Sequence, residues 1–192
     1  MNLTIYENGN TSLTYACEEN NLKIVKSLLI DKDLNIDINE KDENDMSGLM
    51  IACQKGFLSI TKFLLSSSSL KKHANINDEN DIKTTPFMYA CINGHLEIIK
   101  FLLTSPKLKE SANPHLEDTW GINGFIHACF YDHMDIVEYL IFDYKIKLNN
   151  NTIKKLENNG YFDVIQKIKS RDLHTQLNNS LEVSSKTKGK KI

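Results

Sequence analysis

The chain has 192 residues, a formal net charge of -2 and an apolar fraction of 41%, which is enough for one folded domain but short for two. Its first ten residues, MNLTIYENGN, lack the basic flank and apolar core of a signal peptide, and no apolar run reaches membrane-spanning length. We therefore expect a soluble, helix-rich protein of the cytoplasm or nucleus that makes no membrane contact. The charge is uneven, since residues 1–144 carry 12 Lys and 21 Asp or Glu, whereas residues 145–192 carry 11 Lys or Arg and 4 Asp or Glu.

An Ala-Cys dipeptide marks an internal repeat. It occurs four times and includes every cysteine of the chain, and the steps between successive cysteines are 36, 38 and 38 residues. Leu or Phe stands four residues before each cysteine, Leu or Met five after it and Ile seven after it. A period of this length predicts a solenoid built from one supersecondary unit. The four cysteines are Cys17, Cys53, Cys91 and Cys129.

Each unit is predicted to be a short helix, a tight turn and a second helix. A residue that caps helix N-termini well stands six before each cysteine, at Thr11, Ser47, Thr85 and Asn123. Gly56 and Gly94, three residues after their cysteines, can take the left-handed conformation that ends a helix. A second apolar run follows each turn at once. The sequence therefore predicts an all-α fold.

The segment after the fourth unit is predicted to close the stack. The sequence NNGYFDVIQKIKS at residues 158–170 aligns with INGHLEIIKFLLT at residues 92–104. Its many polar residues give one wet face, so residues 151–170 are interpreted as a C-terminal cap. Residues 171–192 are predicted to be a disordered basic tail. Because Leu173, Leu177 and Leu181 recur every four residues, an alternative is a short amphipathic helix that docks on the cap or in the groove.

The repeat resembles the ankyrin repeat. The sequence TPFM at residues 85–88 is similar to that family's Thr-Pro-Leu-His opening, AC at 90–91 to its Ala-Ala pair, and NGHL at 93–96 to its Gly-His turn. HANIN at residues 73–77 and SANPH at 111–115 are similar to its Gly-Ala-Asp-Val-Asn stretch, which begins a hairpin. The resemblance implies an ankyrin-type solenoid of helix-turn-helix repeats with short β-hairpin or loop connections.

The resemblance also gives the expected domain limits. It implies one ankyrin repeat domain over residues 1–170, with repeats at about 7–40, 41–78, 79–116 and 117–150 and the cap at 151–170. Each repeat is 3 to 5 residues longer than the usual 33-residue unit because its connection is longer, and we expect the extra residues, such as 66–72, to bulge after the second helix.

Four substitutions depart from the family pattern. Gly48 and Gly124 replace the helix-starting proline, while Asp45 and Lys83 replace the hairpin glycine. The hairpins at Asp45 and Lys83 are therefore expected to be less regular than those of the family.

The cysteines are interpreted as small buried hydrophobic residues. Equivalent positions in stacked units lie about 8 to 10 Å apart, whereas a disulfide needs about 4.4 to 6.8 Å between Cα atoms. We expect neither disulfides nor a metal site. His95 and His133 occupy matching turn positions, where the resemblance implies hydrogen bonds to local backbone. His127 lies on a first helix beside candidate groove residues, and we expect it to pack or to contact a partner rather than to act as a general base.

No catalytic or cofactor motif is present. The sequence holds no phosphate-binding glycine loop, no Gly-x-Ser-x-Gly and no His-Glu-x-x-His, so we expect neither enzyme activity nor a cofactor. The terminal KTKGKK at residues 186–191 has two further interpretations, a nuclear-import signal and a nucleic-acid patch. Because no aromatic residue is interleaved among its lysines, we do not expect nucleic-acid binding.

The resemblance implies a non-catalytic scaffold that binds another protein through a concave groove of hairpin tips and first helices. The alternative is an adaptor or effector subunit that recruits a substrate to a larger complex such as a ubiquitin ligase, which would require a second module. Because both end units are polar, we expect a monomer.

The candidate binding residues change along the groove from acidic to aromatic. The predicted anchor is Trp120, Ile122, Phe130 and Tyr131, extended by Ile82 and Ile92. The predicted acidic rim, which favours a basic partner segment, is Glu7, Glu18, Glu19 and Glu43. An alternative is that Trp120 packs on the neighbouring hairpin and that the cap covers Phe130 and Tyr131.

Overall fold

The computed structural model describes residues 11–31 and 33–188, with side chains as far as residue 176. In this part of the chain there are ten α-helices, and α8 runs directly into a π-helical turn at Tyr139–Asp143. The helices are α1 Ser12–Glu18, α2 Leu22–Ile30, α3 Gly48–Lys55, α4 Leu58–Ser66, α5 Pro86–Ile92, α6 Leu96–Thr104, α7 Gly124–Phe130, α8 Met134–Glu138, α9 Asn150–Asn158 and α10 Phe162–Lys188.

The predicted all-α class is confirmed. The hairpins between repeats contain no regular strand within the described residues, and one isolated antiparallel bridge joins Lys41 to Ser47. None of the helices in the described ranges is long and apolar enough to cross a membrane.

The chain divides into two compact units, residues 1–136 and 137–192. The expected single domain, residues 1–170, spans the first unit and part of the second, and it remains a prediction. The first unit contains the helix pairs α1–α2, α3–α4 and α5–α6 together with α7.

Within the first unit the first helices of successive repeats stack on one another. α3 lies between α1 and α5, and α5 lies between α3 and α7, while α4 packs between α2 and α6. The recurring Ala-Cys pairs face these contacts, and all eight residues are buried. Small side chains let adjacent helices approach closely, so the repeated dipeptide is explained by packing.

All four predicted N-caps are confirmed. The side-chain oxygens of Thr11, Ser47, Thr85 and Asn123 each accept a hydrogen bond from the backbone N–H three residues later. Asn149 caps α9 in the same way, at 2.8 Å from the N–H of Thr152, and was not predicted. These bonds satisfy donors that have no partner inside the helix.

The hairpins at Asp45 and Lys83 make the same turn as the hairpin at Gly121, and the expectation that they are less regular than those of the family stays a prediction. Both residues adopt the left-handed conformation, with φ of 57° and 59°, as Gly121 does at 69°. The backbone N–H groups of Asp45, Lys83 and Gly121 each donate to the carbonyl three residues earlier, at 3.1, 2.8 and 2.8 Å. The same hydrogen bonds therefore hold all three turns, and the two non-glycine residues carry the backbone strain.

The long connections are turns that follow directly on the second helices, as predicted. After α4 the N–H of Leu70 donates to Ser67 at 3.1 Å, and after α6 the N–H of Leu108 donates to Ser105 at 3.2 Å. The chain then returns to the preceding helix, where the N–H of Ala74 donates to the carbonyl of Leu64 at 3.0 Å.

In the second unit α9 packs on α10. The buried residues include Ile146, Leu156, Val164, Ile165 and Ile168. The aligned residues lie on these two consecutive helices, and the assignment of residues 151–170 as a cap stays a prediction.

α10 continues to Lys188, so the prediction that residues 171–188 are disordered is wrong; residues 189–192 lie outside the described residues. No Gly or Pro interrupts residues 162–188. The Nη1 of Arg171 donates to the carbonyl of Ile146 at 2.8 Å, which fixes the helix beyond the expected end of the cap. Leu173 is 58% exposed, so its predicted docking is not observed. The side chains of Leu177 and Leu181 lie outside the described ones.

Candidate protein-binding groove

The second, third and fourth hairpins, named after the repeats they begin, have their turns at residues 42–46, 80–84 and 118–122. The fourth hairpin is held to α7 by a buried carboxylate. Oδ1 of Asp118 accepts the backbone N–H groups of Trp120 and Ile122, both at 2.9 Å, and Oδ2 contacts Nε2 of His127 at 2.9 Å. The side chain of Asp118 is almost fully buried. The contact with His127 offsets the cost of burying the carboxylate and fixes the hairpin tip that carries Trp120. His127 is thus a packed residue, as expected.

The predicted aromatic anchor lies largely on the surface. Trp120 is 65% exposed, Tyr131 is 56% exposed and Phe130 is 37% exposed. The ring of Tyr131 stacks near His127 with centroids 6.4 Å apart, so Tyr131 and the Trp120 hairpin are joined through His127 and Asp118. Such exposure disfavours the alternative that Trp120 is covered by the neighbouring hairpin.

The two extending isoleucines differ in exposure. Ile82 is 36% exposed on the third hairpin, while Ile92 at the end of α5 is half-buried, as is Ile122. The N–H of Thr119 donates to the carbonyl of Ile82 at 3.1 Å, so the third and fourth hairpins are hydrogen-bonded to each other. Ile82 therefore lies on a hairpin that is directly linked to the one bearing Trp120.

The acidic rim is placed on the first and second repeats. Glu18 is half-buried, with a carboxylate oxygen 3.8 Å from Nζ of Lys55, while Glu19 and Glu43 are exposed. Glu7 lies outside the described residues.

A cleft that sequence reasoning missed lies between the second and third hairpins and the first helices. Its volume is about 540 Å³. Its lining comprises Glu18, Asp42, Asn44, Met46, Ile51, Gln54, Asn80, Asp81, Ile82 and Tyr89. Burial, followed by the charges of Asp81 and Asp42, raises the pKa of Tyr89. The signal in the sequence was an acidic residue in each of these hairpins, but only stacking brings Asp42 and Asp81 together.

The turn histidines join adjacent repeats, which corrects the expectation of local hydrogen bonds. Nε2 of His95 donates to the carbonyl of Gln54 at 2.9 Å, and Nε2 of His133 donates to that of Ile92 at 2.9 Å, in each case in the preceding repeat. A Cβ on Gly94 would lie 2.7 Å from the ring of His133. Asn20 and Asp132 adopt the left-handed conformation at the same turn position in the first and fourth repeats, with φ of 52° and 58°. The glycine is therefore required by the histidine of the next repeat and not by its own backbone conformation.

The four cysteines are free and buried. Burial raises the pKa of Cys17, Cys53 and Cys129 to about 12, and that of Cys91 well above its usual range. Their thiols therefore stay protonated near neutral pH and pack as small apolar groups. The described residues contain no group of three or more His, Cys, Asp or Glu that could hold a metal ion.

Comparison with protein families identifies the repeats. A model described as "Ankyrin repeats (3 copies)" matches residues 34–110, and one described as "Ankyrin repeat" matches residues 8–43. No curated protein matches the chain. The two family matches together span residues 8–110, more than half of the 192 residues, and in the structure α1 to α6 of this range form three stacked helix pairs. The chain belongs to the ankyrin repeat family.

Proposed function

We propose that this protein is a non-catalytic scaffold that binds another protein through the groove of hairpin tips and first helices in residues 11–136. Ankyrin repeats are generally protein–protein interaction modules. The observation that carries the proposal is the exposure of Trp120 and Tyr131 on a hairpin and helix that Asp118 and His127 hold together. We also propose a monomer of the cytoplasm or nucleus.

Large side chains on a backbone that is already held in place favour tight binding. Trp and Tyr are enriched among the residues that dominate binding energy, because each removes a large apolar area from water while its polar atom keeps a hydrogen bond. The backbone of Trp120 is fixed by Asp118, and Tyr131 stacks near His127. Because the backbone at Trp120 and the ring of Tyr131 are held before association, less free energy is lost in ordering them and more of their burial contributes to affinity.

The test begins with a captured partner. The purified protein is immobilised, bound proteins are identified by mass spectrometry, and the affinity of the recovered partner is measured by calorimetry for wild type, Trp120→Ala and Tyr131→Ala. Each substitution is expected to weaken binding by about 2 kcal/mol or more and to leave the melting temperature nearly unchanged. Ile24→Ala is the control, because Ile24 is an exposed apolar residue on the second helix of the first repeat.

Two results would redirect the proposal. If Trp120→Ala and Tyr131→Ala lower the melting temperature but spare affinity, these residues serve the fold and the proposed site is wrong. If ubiquitin-ligase subunits are recovered together with a substrate, the adaptor function is favoured over a simple scaffold.

A further inference from the structure

The groove of the first unit has two chemically different parts. The cleft of the first three repeats contains the carboxylates of Glu18, Asp42 and Asp81. The fourth repeat presents Trp120 and Tyr131, both more than half exposed. A single partner segment that covers both parts must match a negative charge at one place and an apolar surface at the other.

We propose that the groove binds an extended segment of another protein, with a Lys or Arg side chain in the cleft and a large apolar side chain on Trp120 and Tyr131. This inference rests on the proposed function, because it names the chemistry of the partner for the same surface. The inference goes beyond the proposed function because it predicts which residues the partner must carry and how far apart they stand in its sequence.

The lining of the cleft suits a long cationic side chain. Met46, Ile51 and Ile82 supply apolar surface beside the carboxylates, and Asn80 and Gln54 add neutral hydrogen-bonding groups. Lys and Arg bury their methylene stems on apolar surface while their charged ends reach polar groups. A purely apolar side chain would leave the carboxylates of the cleft partly desolvated with no cation to offset that cost.

The nearby lysines, Lys41 and Lys55, only partly neutralise the carboxylates of the cleft. Nζ of Lys41 donates to the carbonyl of Glu79 at 2.6 Å and to Oδ2 of Asp45 at 3.2 Å, and it lies 3.9 Å from Asp78. Its contacts are therefore made with residues outside the cleft lining. Lys55 approaches Glu18 at 3.8 Å in a pair that is half-exposed on both sides, and such pairs are weak. The raised pKa of Tyr89, after burial, reflects the charges of Asp81 and Asp42.

Equivalent hairpin positions show how the charge changes along the groove. Asp42, Asn80 and Asp118 stand at 38-residue intervals. Asp42 lines the cleft, whereas Asp118 is buried against His127. Both aspartates hold their hairpins, since Oδ1 of Asp42 accepts the N–H groups of Asn44 and Met46, both at 2.9 Å, as Oδ1 of Asp118 does in the fourth repeat. Oδ2 of Asp118 is in addition paired with His127, and the fourth repeat presents Trp120 to solvent.

The stacking distance sets the spacing expected in the partner. Asp42 and Asp81 lie on the second and third hairpins and Trp120 lies on the fourth, so one to two repeat spacings, or about 10 to 20 Å, separate the two parts. An extended chain advances about 3.3 Å per residue. The basic and apolar side chains of the partner should therefore stand about three to six residues apart.

The experiment uses peptides as the probe. A phage-displayed library of random 12-residue peptides is selected on the full chain, and synthetic fluorescent copies of enriched peptides are titrated by fluorescence polarisation. We expect enriched peptides to pair Lys or Arg with an aromatic or large aliphatic residue about three to six positions away. Changing the peptide's basic residue to Gln should weaken binding by about tenfold.

Matched variants of the protein locate the basic residue. Asp42→Asn combined with Asp81→Asn should weaken the basic peptide about tenfold and should not weaken its Gln version further. Asn is tolerated at position 42 because Oδ1 of Asn80 accepts the equivalent hairpin N–H, from Thr84, at 2.7 Å. The control is Glu110→Gln, which removes one exposed carboxylate from a connection after α6 and should change affinity less than twofold.

The outcomes separate this inference from the proposed function. If peptide binding falls in Trp120→Ala but is unaffected by Asp42→Asn with Asp81→Asn, the groove binds protein but the basic-residue assignment is wrong. If no peptide is enriched, or if the enriched peptides are insensitive to Trp120→Ala, both proposals fail. A dimer of the free chain in sedimentation, lost in Trp120→Ala, would assign the groove to a second copy and overturn the inference.

Discussion

Gly124 begins α7 at the position where Pro86 begins α5, and a side chain there would meet the preceding repeat. A Cβ on Gly124 would lie 2.5 Å from Cε1 and 2.8 Å from Cδ1 of Phe87, and 3.0 Å from Sγ of Cys91. Phe87 and Cys91 are both buried, so neither side chain can move away without disturbing the core. We therefore expect Gly124→Ala to destabilise the protein.

The change in stability caused by Gly124→Ala is the sum of two opposing effects. Replacing a helical glycine with alanine normally stabilises by about 0.5 to 1 kcal/mol, because alanine has less backbone freedom to lose on folding. Adding a methyl group to a packed core costs about 1 to 3 kcal/mol. Since the separation of 2.5 Å is far below ordinary contact, the clash should win. The expected net loss is about 1 to 2 kcal/mol.

The assay is urea unfolding followed by circular dichroism for the two single variants, Gly124→Ala and Phe87→Leu, and for the double variant. Leucine lacks the ring atom that lies closest to the added methyl, so Phe87→Leu should cost about 1 kcal/mol in wild type and almost nothing beside Gly124→Ala. Gly48→Ala is the control, because its Cβ would meet Sγ of Cys17 at 2.9 Å and not Phe87. Phe87→Leu should not rescue it.

The predicted clash with Phe87 is refuted if Gly124→Ala is at least as stable as wild type. It is also refuted if Phe87→Leu costs the same free energy in both backgrounds, because the two positions would then be uncoupled.

Three further predictions concern the hairpins, the thiols and the turn histidines. Lys83→Gly should raise the urea midpoint by the equivalent of about 1 kcal/mol, because glycine relieves the left-handed strain at φ 59°. Asp45→Gly should raise it less, because this substitution also removes the ion pair with Lys41. A lower midpoint for Lys83→Gly than for wild type would contradict this prediction. Burial raises the pKa of Cys53 from 9.0 to about 12, so the stability that its protonated thiol contributes is complete below pH 9 and is lost between pH 9 and 12. In that window the free energy of unfolding of wild type should fall more steeply than that of Cys53→Ala, by up to about 1.4 kcal/mol per pH unit, and equal slopes would exclude a raised pKa. His133→Ala should lose about 2 kcal/mol of stability in urea unfolding, because the carbonyl of Ile92 in the preceding repeat loses its donor. His174→Ala, at an exposed position of α10, should change stability by no more than about 0.5 kcal/mol. An equal loss in His174→Ala would show that the bond between repeats is not the cause.

The site was partly predictable from the sequence. The positions of Trp120 and Tyr131 within the repeat indicated surface residues, and both are exposed in the structure. That they carry a binding site stays a prediction. Asp42 and Asp81 were missed because they are 39 residues apart, and only the stacking of two hairpins places both on one cleft.

The sequence by itself determined the period, the helix starts and the buried face. The N-cap of each first helix depends on a side chain and an N–H only three residues away, as at Thr85 and Met88, and the Ala-Cys pairs recur at one position on the helix. Such features follow from local chemistry and from the spacing of apolar residues. They were confirmed because no distant residue is needed to form them.

Only the tertiary structure decided the contacts between repeats. His133 donates to a carbonyl 41 residues earlier, and Gly124 is required by the ring of Phe87 in the preceding repeat. α10 likewise extends beyond the predicted cap, where Arg171 donates to the carbonyl of Ile146. These interactions depend on the distance between stacked elements. The repeat period indicates which elements stack, but side-chain volume and hydrogen-bond geometry determine how closely their atoms approach.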